Sequence, residues 1–118
     1  MKAGLFLFLM LCTASPGCRN TAAVPKRVRL NVEMSVSAGN RAALMENLLS
    51  LAEASRAEEG CIGYEIYENS RDSSRILILE TWRDAAALEA HQRTGHFRLR
   101  APRNRELADT SVLGRFEF

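Results

Sequence analysis

The chain has 118 residues, which suits one domain and leaves no room for two of ordinary size. Apolar residues make up 47% and charged residues 25% of it, a globular balance that excludes a disordered or fibrous protein. The 16 basic and 14 acidic residues give a formal charge of +2, too small an excess to indicate nucleic-acid binding.

The first 18 residues follow the pattern of a secretory signal peptide. Lys2 precedes an uninterrupted apolar run at residues 5–11, and small or turn-forming residues follow at 13–17. The run is well short of the ~20 residues that a membrane-spanning helix needs. We therefore predict export, with a signal peptide at 1–18, a linker at 19–26 and one domain at 27–118.

The cleavage of this signal has two interpretations, and the sequence leaves both open. Residues 15–18 read SPGC and resemble a loose bacterial lipobox in which Cys18 carries the lipid, although Ser15 replaces the usual leucine. Ordinary cleavage after Ala14 or Ala23 is the alternative. The protein is accordingly expected in the periplasm or as a membrane-anchored lipoprotein, with membrane contact only through that lipid.

The cysteine content limits the chemistry of the domain. Cys12 lies in the signal, so the domain keeps only Cys61 and cannot form an internal disulfide. Cys61 is interpreted as a small core residue, because no partner that would activate its thiol is evident. No spacing of Cys and His residues typical of a metal site appears, and no metal is predicted.

The domain begins with a strand and a helix. Apolar and polar residues alternate over residues 28–36, which predicts a half-buried strand. Asn40 is the expected N-cap of an amphipathic helix of about five turns, whose apolar stripe includes Leu44 and Leu48. Gly60 is expected to end this helix in the left-handed conformation.

Two strands, joined by turn residues at 69–74, come next. Residues 61–68 predict one strand, and residues 76–82 predict another that is apolar on both faces. The short connection makes them antiparallel neighbours.

Asp84 is the expected cap of a second helix with His91 on its apolar stripe. A short helical piece is expected from His96 to about Arg100, before Pro102. Alternation over residues 111–118 predicts the last strand.

The order β-α-β-β-α-β is the split βαβ arrangement of a ferredoxin-like α+β fold, a four-stranded antiparallel sheet with helices on one face. Because the third strand is apolar on both faces, the face away from the helices must also be covered. A second copy that packs sheet against sheet would cover it, which predicts a homodimer with a shared α+β barrel.

Several motifs then occur in an order that resembles one known family. Residues 58–65 read EEGCIGYE, residues 79–84 read LETWRD, residues 87–91 read ALEAH and residues 94–97 read TGHF. Between about residues 28 and 97 the chain closely resembles the antibiotic-biosynthesis-monooxygenase family and its quinol-monooxygenase-like members.

The resemblance implies a cofactor-independent monooxygenase that oxidises a quinol-like or phenolic aromatic with O₂ in a pocket between sheet and helices. A base removes a proton from the substrate, and the resulting anion passes an electron directly to O₂. No cofactor is then expected, and O₂ is the co-substrate. The resemblance leaves the substrate open, because the family also includes polyketide oxidisers, haem-degrading enzymes and signal-molecule isomerases.

Two residues are candidates for catalysis. His91 is the candidate base, because a histidine near its ordinary pKa accepts a proton at physiological pH; the alternative is a core histidine bonded to a backbone carbonyl. Asn31 is the second candidate, since the resemblance implies an asparagine on the first strand that holds oxygen. A register shift of one residue would turn it to the opposite face.

Four residues are candidates for substrate binding. Trp82 offers a flat ring and an N–H donor, or else packs in the core. His96 and Phe97 lie at the break in the second helix, where His96 could instead organise the turn. Tyr64 and Tyr67 lie on opposite faces of the second strand, so at most one can face the pocket.

A buried carboxylate is costly unless it is paired. Glu80 lies in a strongly apolar strand, and we expect it to pair with an arginine such as Arg29 or Arg75.

A function of another class fits the same fold. The domain would then be a non-catalytic dimeric barrel that binds a small hydrophobic molecule or haem, and haem would be its cofactor. A shift of the haem Soret band that depends on His91 would favour this alternative.

Overall fold

The computed structural model describes residues 23–118. The predicted signal peptide and Cys18 lie outside these residues, so export and lipidation stay predictions. The described residues form β1 (Val28–Ser35), α1 (Ala38–Arg56), β2 (Cys61–Glu68), β3 (Arg75–Trp82), α2 (Ala85–Arg93), α3 (Gly95–Leu107) and β4 (Thr110–Glu117). No helix within this part of the chain is long and apolar enough to cross a membrane.

The four strands form one antiparallel sheet in the order β2-β3-β1-β4. Alternate residues of β1 and β3, such as Leu30 and Ile78, are buried in one core with Leu44 and Leu48 of α1 and Leu88 of α2. The helices therefore cover one face, called here the inner face, and leave the outer face free of them. This arrangement confirms the predicted ferredoxin-like α+β fold.

The first helix differs from the prediction at both ends. It begins after Ser37, and Asn40 lies inside its first turn, where the Asn40 side chain donates to the Leu107 carbonyl at 3.2 Å. The helix ends at Arg56, and Gly60 has no positive φ. The prediction of a left-handed Gly60 was wrong, and close approach explains the glycine: a Cβ on Gly60 would lie 2.3 Å from the Ala87 Cβ.

The second helix begins as predicted. Asp84 caps it, since its Oδ1 accepts from the Ala87 N–H at 2.8 Å. Thr94 then separates α2 from α3 and contacts both helices. Its hydroxyl donates to the His91 carbonyl at 2.6 Å and accepts from the Phe97 N–H at 3.3 Å. This single residue fixes the break that places His91 and Phe97 side by side.

The third helix is longer than predicted, because it continues through Pro102 to Leu107. A proline inside a helix removes one backbone hydrogen bond and costs about 3 kcal/mol. Packing against α1 offsets that cost: Leu107 is buried, and the Asn47 side chain donates to the Arg100 carbonyl at 2.9 Å and to Asn104 Oδ1 at 2.7 Å. Tertiary contacts therefore override the local helix-breaking signal.

The outer face of the sheet carries apolar side chains that the described chain leaves uncovered. Val112 and Phe116 of β4 are 65% and 53% exposed, and Leu77 and Leu79 of β3, on the same face but across the intervening β1, are partly exposed. The predicted two-sided apolar character of β3 is confirmed. The dimer that would cover this face stays a prediction.

Candidate active site

A pocket of about 340 Å³ lies between the inner face of the sheet and the helices α2 and α3. The sheet contributes Leu30, Tyr64 and Glu80 to its lining, and the helices contribute His91 and Phe97. Its volume is in the range of small-molecule sites, roughly 300–1,000 Å³. Three of the residues selected from the sequence, Tyr64, His91 and Phe97, therefore meet at one cavity.

A second depression, of about 420 Å³, lies at the far end of the sheet around Glu33, Glu68 and Arg75. Its lining contains none of the candidate residues. We therefore place the candidate site in the pocket between sheet and helices.

His91 is completely buried, and its two ring nitrogens have different surroundings. Nδ1 lies 2.7 Å from Glu58 Oε1, whereas Nε2 is buried with no hydrogen-bond partner among residues 23–118. A carboxylate can only accept, so Nδ1 carries the proton and Nε2 keeps a free lone pair. Burial lowers the pKa of His91, and the hydrogen bond to Glu58 opposes this shift. The ring is thus held neutral with one basic nitrogen unused.

Glu58 joins the two histidines of the site. Its Oε1 also accepts from His96 Nε2, at 2.6 Å. The carboxylate follows α1 in the chain, whereas His91 and His96 lie on α2 and α3, so only the fold brings the three together. Sequence reasoning gave Glu58 no role, and the one available signal was its place in the EEGC motif.

Each of these three side chains offers one atom that could bind a metal ion. The three atoms lie within 4.8 Å of one another, a spacing that a metal ion could bridge. Two histidines and one carboxylate are also a known ligand set for non-haem iron. The oxygen–nitrogen separations of 2.6 and 2.7 Å are hydrogen-bond lengths, however, and account for the three atoms concerned, Glu58 Oε1, His91 Nδ1 and His96 Nε2. We therefore describe the group as a hydrogen-bonded cluster.

Aromatic rings surround His91. The Trp82 ring centroid lies 4.4 Å from that of His91, and the Phe97 ring meets it edge-on at 4.9 Å. The Tyr64 ring lies 6.3 Å away. Trp82 is fully buried and supports the His91 ring, which favours the core-packing alternative for this residue over a pocket floor. Tyr64 is the buried member of the tyrosine pair, and Tyr67 is half exposed on the other face.

Glu80 is a buried carboxylate without the arginine partner that we expected. Its side chain accepts from the Trp82 indole N–H at 3.1 Å, and the Tyr64 hydroxyl lies close enough to influence its ionisation. Arg29 instead donates to Thr81, Arg75 lies 4.0 Å from Glu33, and none of the ion pairs among residues 23–118 includes Glu80. Burial raises the pKa of Glu80 to about 7, although Trp82 and Tyr64 lower it and Glu58 raises it slightly.

Asn31 lies on the outer face, away from His91. The register of β1 places Leu30 and Val32 on the inner face, opposite Glu80 and Ile78, so that Asn31 points the other way. Its Oδ1 is buried with no hydrogen-bond partner in the described chain. The structure therefore does not bring Asn31 together with the other candidates.

Comparison with known proteins identifies the family. Residues 27–99 match the family model described as antibiotic biosynthesis monooxygenase. The Bacillus subtilis (strain 168) protein named "Putative monooxygenase YcnE" is 32% identical over 78 residues, which cover 66% of this chain and 82% of that protein. Because the family model matches more than half of the chain, the protein belongs to the antibiotic biosynthesis monooxygenase family.

Solved structures share the fold of this chain. A conserved protein of unknown function from Bacteroides thetaiotaomicron VPI-5482 has a TM-score of 0.76 and 39% identity, with 79% of this chain and 98% of that chain covered. PA3566 from Pseudomonas aeruginosa has a TM-score of 0.74 and 31% identity, with 82% and 98% covered. The fold predicted from the sequence is thus shared with both structures.

Proposed function

We propose that the protein is a cofactor-independent monooxygenase that oxidises a quinol-like or phenolic aromatic with O₂. The observation that carries this proposal is the state of His91. Glu58 fixes the proton on Nδ1, and Nε2 is a buried lone pair on a residue that lines the pocket. A phenolic O–H placed against that nitrogen would find a base that has no competing partner among the described residues.

The protonation state of His91 fits this role. Its pKa is lowered, chiefly by burial, so the ring is neutral and able to accept a proton at physiological pH. When the ring accepts the substrate proton, the positive charge forms next to the Glu58 carboxylate and is stabilised by it. Glu58 therefore acts as a positioning residue that sets the tautomer and stabilises the charged form.

The pocket suits a flat apolar substrate. Leu30, Val32 and Leu88 contribute apolar surface, and Phe97 adds an aromatic edge. Polar side chains such as Gln92 and Asn104 also line the pocket, so the substrate ring is expected against the apolar part, where exclusion of water from the anion favours its direct reaction with O₂. We propose that the active form is a homodimer, because the apolar outer face would be covered by a second sheet. We also propose that the enzyme acts after export, free in the periplasm or anchored through Cys18.

The proposal is tested by oxygen consumption of the purified protein against a panel of hydroquinones, with catalase present. His91→Ala should lower the rate by roughly 10²-fold or more, the usual scale for lost general-base assistance. Raising the pH should partly restore the variant, because the substrate then ionises without help. His96→Ala should have a smaller effect, since His96 forms its hydrogen bond with Glu58 and not with the base itself.

Glu89→Ala is the matched control, because Glu89 lies on the exposed side of the same helix. It should keep full activity. Full activity of the His91→Ala protein would show that His91 is structural. If the wild type oxidises no quinol, the non-catalytic alternative becomes the better one, and a His91-dependent Soret shift on haem addition would support it.

A further inference from the structure

The pocket is lined by another ionisable group, Glu80, which the proposed mechanism with His91 as the base does not use. Glu80 projects from β3 into the same cavity as His91, which comes from α2, and its side chain is 6% exposed. Trp82 connects the two: its indole N–H donates to Glu80, and its ring lies against the ring of His91. The cavity therefore has a basic nitrogen on its helix side and a carboxyl group on its sheet side.

The surroundings of Glu80 favour its neutral, protonated form. The titratable and charged groups that face it are Tyr64 on β2, Glu58 after α1, His91 on α2 and Arg105 on α3. None of them forms an ion pair with it, and a buried carboxylate without a cation is costly. The Tyr64 hydroxyl cannot supply the missing positive charge, since a phenol is neutral or anionic, and burial raises the pKa of Tyr64 and keeps it neutral. At neutral pH a substantial fraction of Glu80 therefore carries a proton, given its pKa of about 7.

We propose that Glu80 is the general acid of the reaction and delivers its proton to the peroxide oxygen that O₂ forms on the substrate ring. The proposal rests on the proposed function, in which His91 removes the first proton. In this proposal His91 accepts a proton and Glu80 donates one, because the two groups have different surroundings. Such a difference is the usual way in which one site performs both acid and base steps.

The proton balance requires such an acid. Hydroquinone and O₂ give hydroxyquinone and water: His91 takes the phenolic proton, an electron passes from the anion to O₂, and the two radicals join in a carbon–oxygen bond. The product is a ring-bound peroxide anion, which Glu80 protonates. The O–O bond then breaks, the electron pair of the ring C–H bond forms the new carbonyl, and hydroxide leaves with that ring proton as water. Return of one proton from His91 to Glu80, through solvent, restores the site.

A site without the acid should form another product. A peroxide anion that is not protonated breaks its carbon–oxygen bond again and returns to the two radicals. Transfer of a second electron to oxygen then gives quinone and H₂O₂, which is also a balanced two-electron oxidation. The ratio of hydroxyquinone to H₂O₂ therefore reports on the acid, whereas the rate of O₂ consumption reports on the base.

The experiment compares the wild type with Glu80→Gln, which keeps the shape and the acceptor for Trp82 but carries no acidic proton. Both are assayed as full-length protein with a hydroquinone that the wild type oxidises, and O₂, H₂O₂ and hydroxyquinone are measured without catalase. In Glu80→Gln, hydroxyquinone formation should fall by roughly 10²-fold while O₂ consumption falls less than about tenfold, and H₂O₂ should replace the missing product. Glu89→Gln removes an exposed carboxylate of α2, outside the pocket and away from the outer face of the sheet, and should match the wild type.

The pH dependence supplies a second readout. In the wild type the yield of hydroxyquinone per O₂ should fall as the pH rises above about 7, and in Glu80→Gln it should be low at every pH. Unchanged product yield in Glu80→Gln would overturn the acid assignment and leave the base mechanism intact. Complete loss of O₂ consumption in Glu80→Gln would also overturn it, because Glu80 would then serve binding or the first step. Absence of quinol oxidation by the wild type would overturn both proposals.

Discussion

Replacing Glu80 by glutamine should change how the stability of the protein depends on pH. The Glu80 pKa rises from its ordinary value of 4.5 to about 7 on folding, chiefly because the carboxyl group is buried. Between these pH values the folded state keeps a proton that the unfolded state has already lost. The free energy of unfolding therefore falls as the pH rises through this window, at about 1.4 kcal/mol for each pH unit.

The full difference amounts to about 3 kcal/mol. The contribution of Glu80 is present below pH 4.5 and lost as the pH passes 7. Glutamine is neutral throughout, so the Glu80→Gln protein lacks this loss. Its stability relative to the wild type should accordingly increase by about 3 kcal/mol between pH 4 and pH 8, although other groups titrate in both proteins.

The measurement is urea unfolding followed by circular dichroism, at several pH values and one fixed protein concentration. The concentration is fixed because a dimer makes the apparent stability depend on it. Glu89→Gln, at an exposed carboxylate of α2 away from the outer face of the sheet, serves as the control and should run parallel to the wild type. If the Glu80→Gln and wild-type curves are parallel from pH 4 to pH 8, the carboxyl group is not held neutral by the fold, and the reasoning fails.

Four other outcomes are expected. Gly60→Ala should destabilise the fold by about 1–3 kcal/mol, since its Cβ would overlap that of Ala87, whereas Gly39→Ala, with open space around it, should be neutral or stabilising in thermal melts. Treatment with a chelator should leave quinol oxidation unchanged; loss of activity that iron restores would instead make the Glu58 cluster a metal centre. Light scattering at micromolar concentration should give a dimer mass, and a clean monomer would contradict the proposed assembly. Cys18→Ser should release the protein from the membrane fraction of a Gram-negative host, and a soluble wild type without a lipid mass would exclude the lipoprotein.

Local signals in the sequence determined much of the fold. Strand alternation, the Asp84 cap and the turn residues each depend on neighbours a few positions away, so they could be interpreted without coordinates. The motif around Trp82 and His91 then identified the family, which the comparisons confirm. Burial of His91 also followed from its stripe on the second helix.

The tertiary structure alone decided the composition of the site. Glu58 lies 33 and 38 positions before its two histidine partners, and no periodic pattern predicts that such distant residues share a hydrogen-bond cluster. The partner of Glu80 is Trp82, two positions along the same strand, rather than an arginine, because Arg29 and Arg75 lie on the outer face of the sheet and Glu80 on the inner face. Local rules describe which face a side chain occupies, whereas the pairing of polar groups depends on how helices and strands from separate parts of the chain meet.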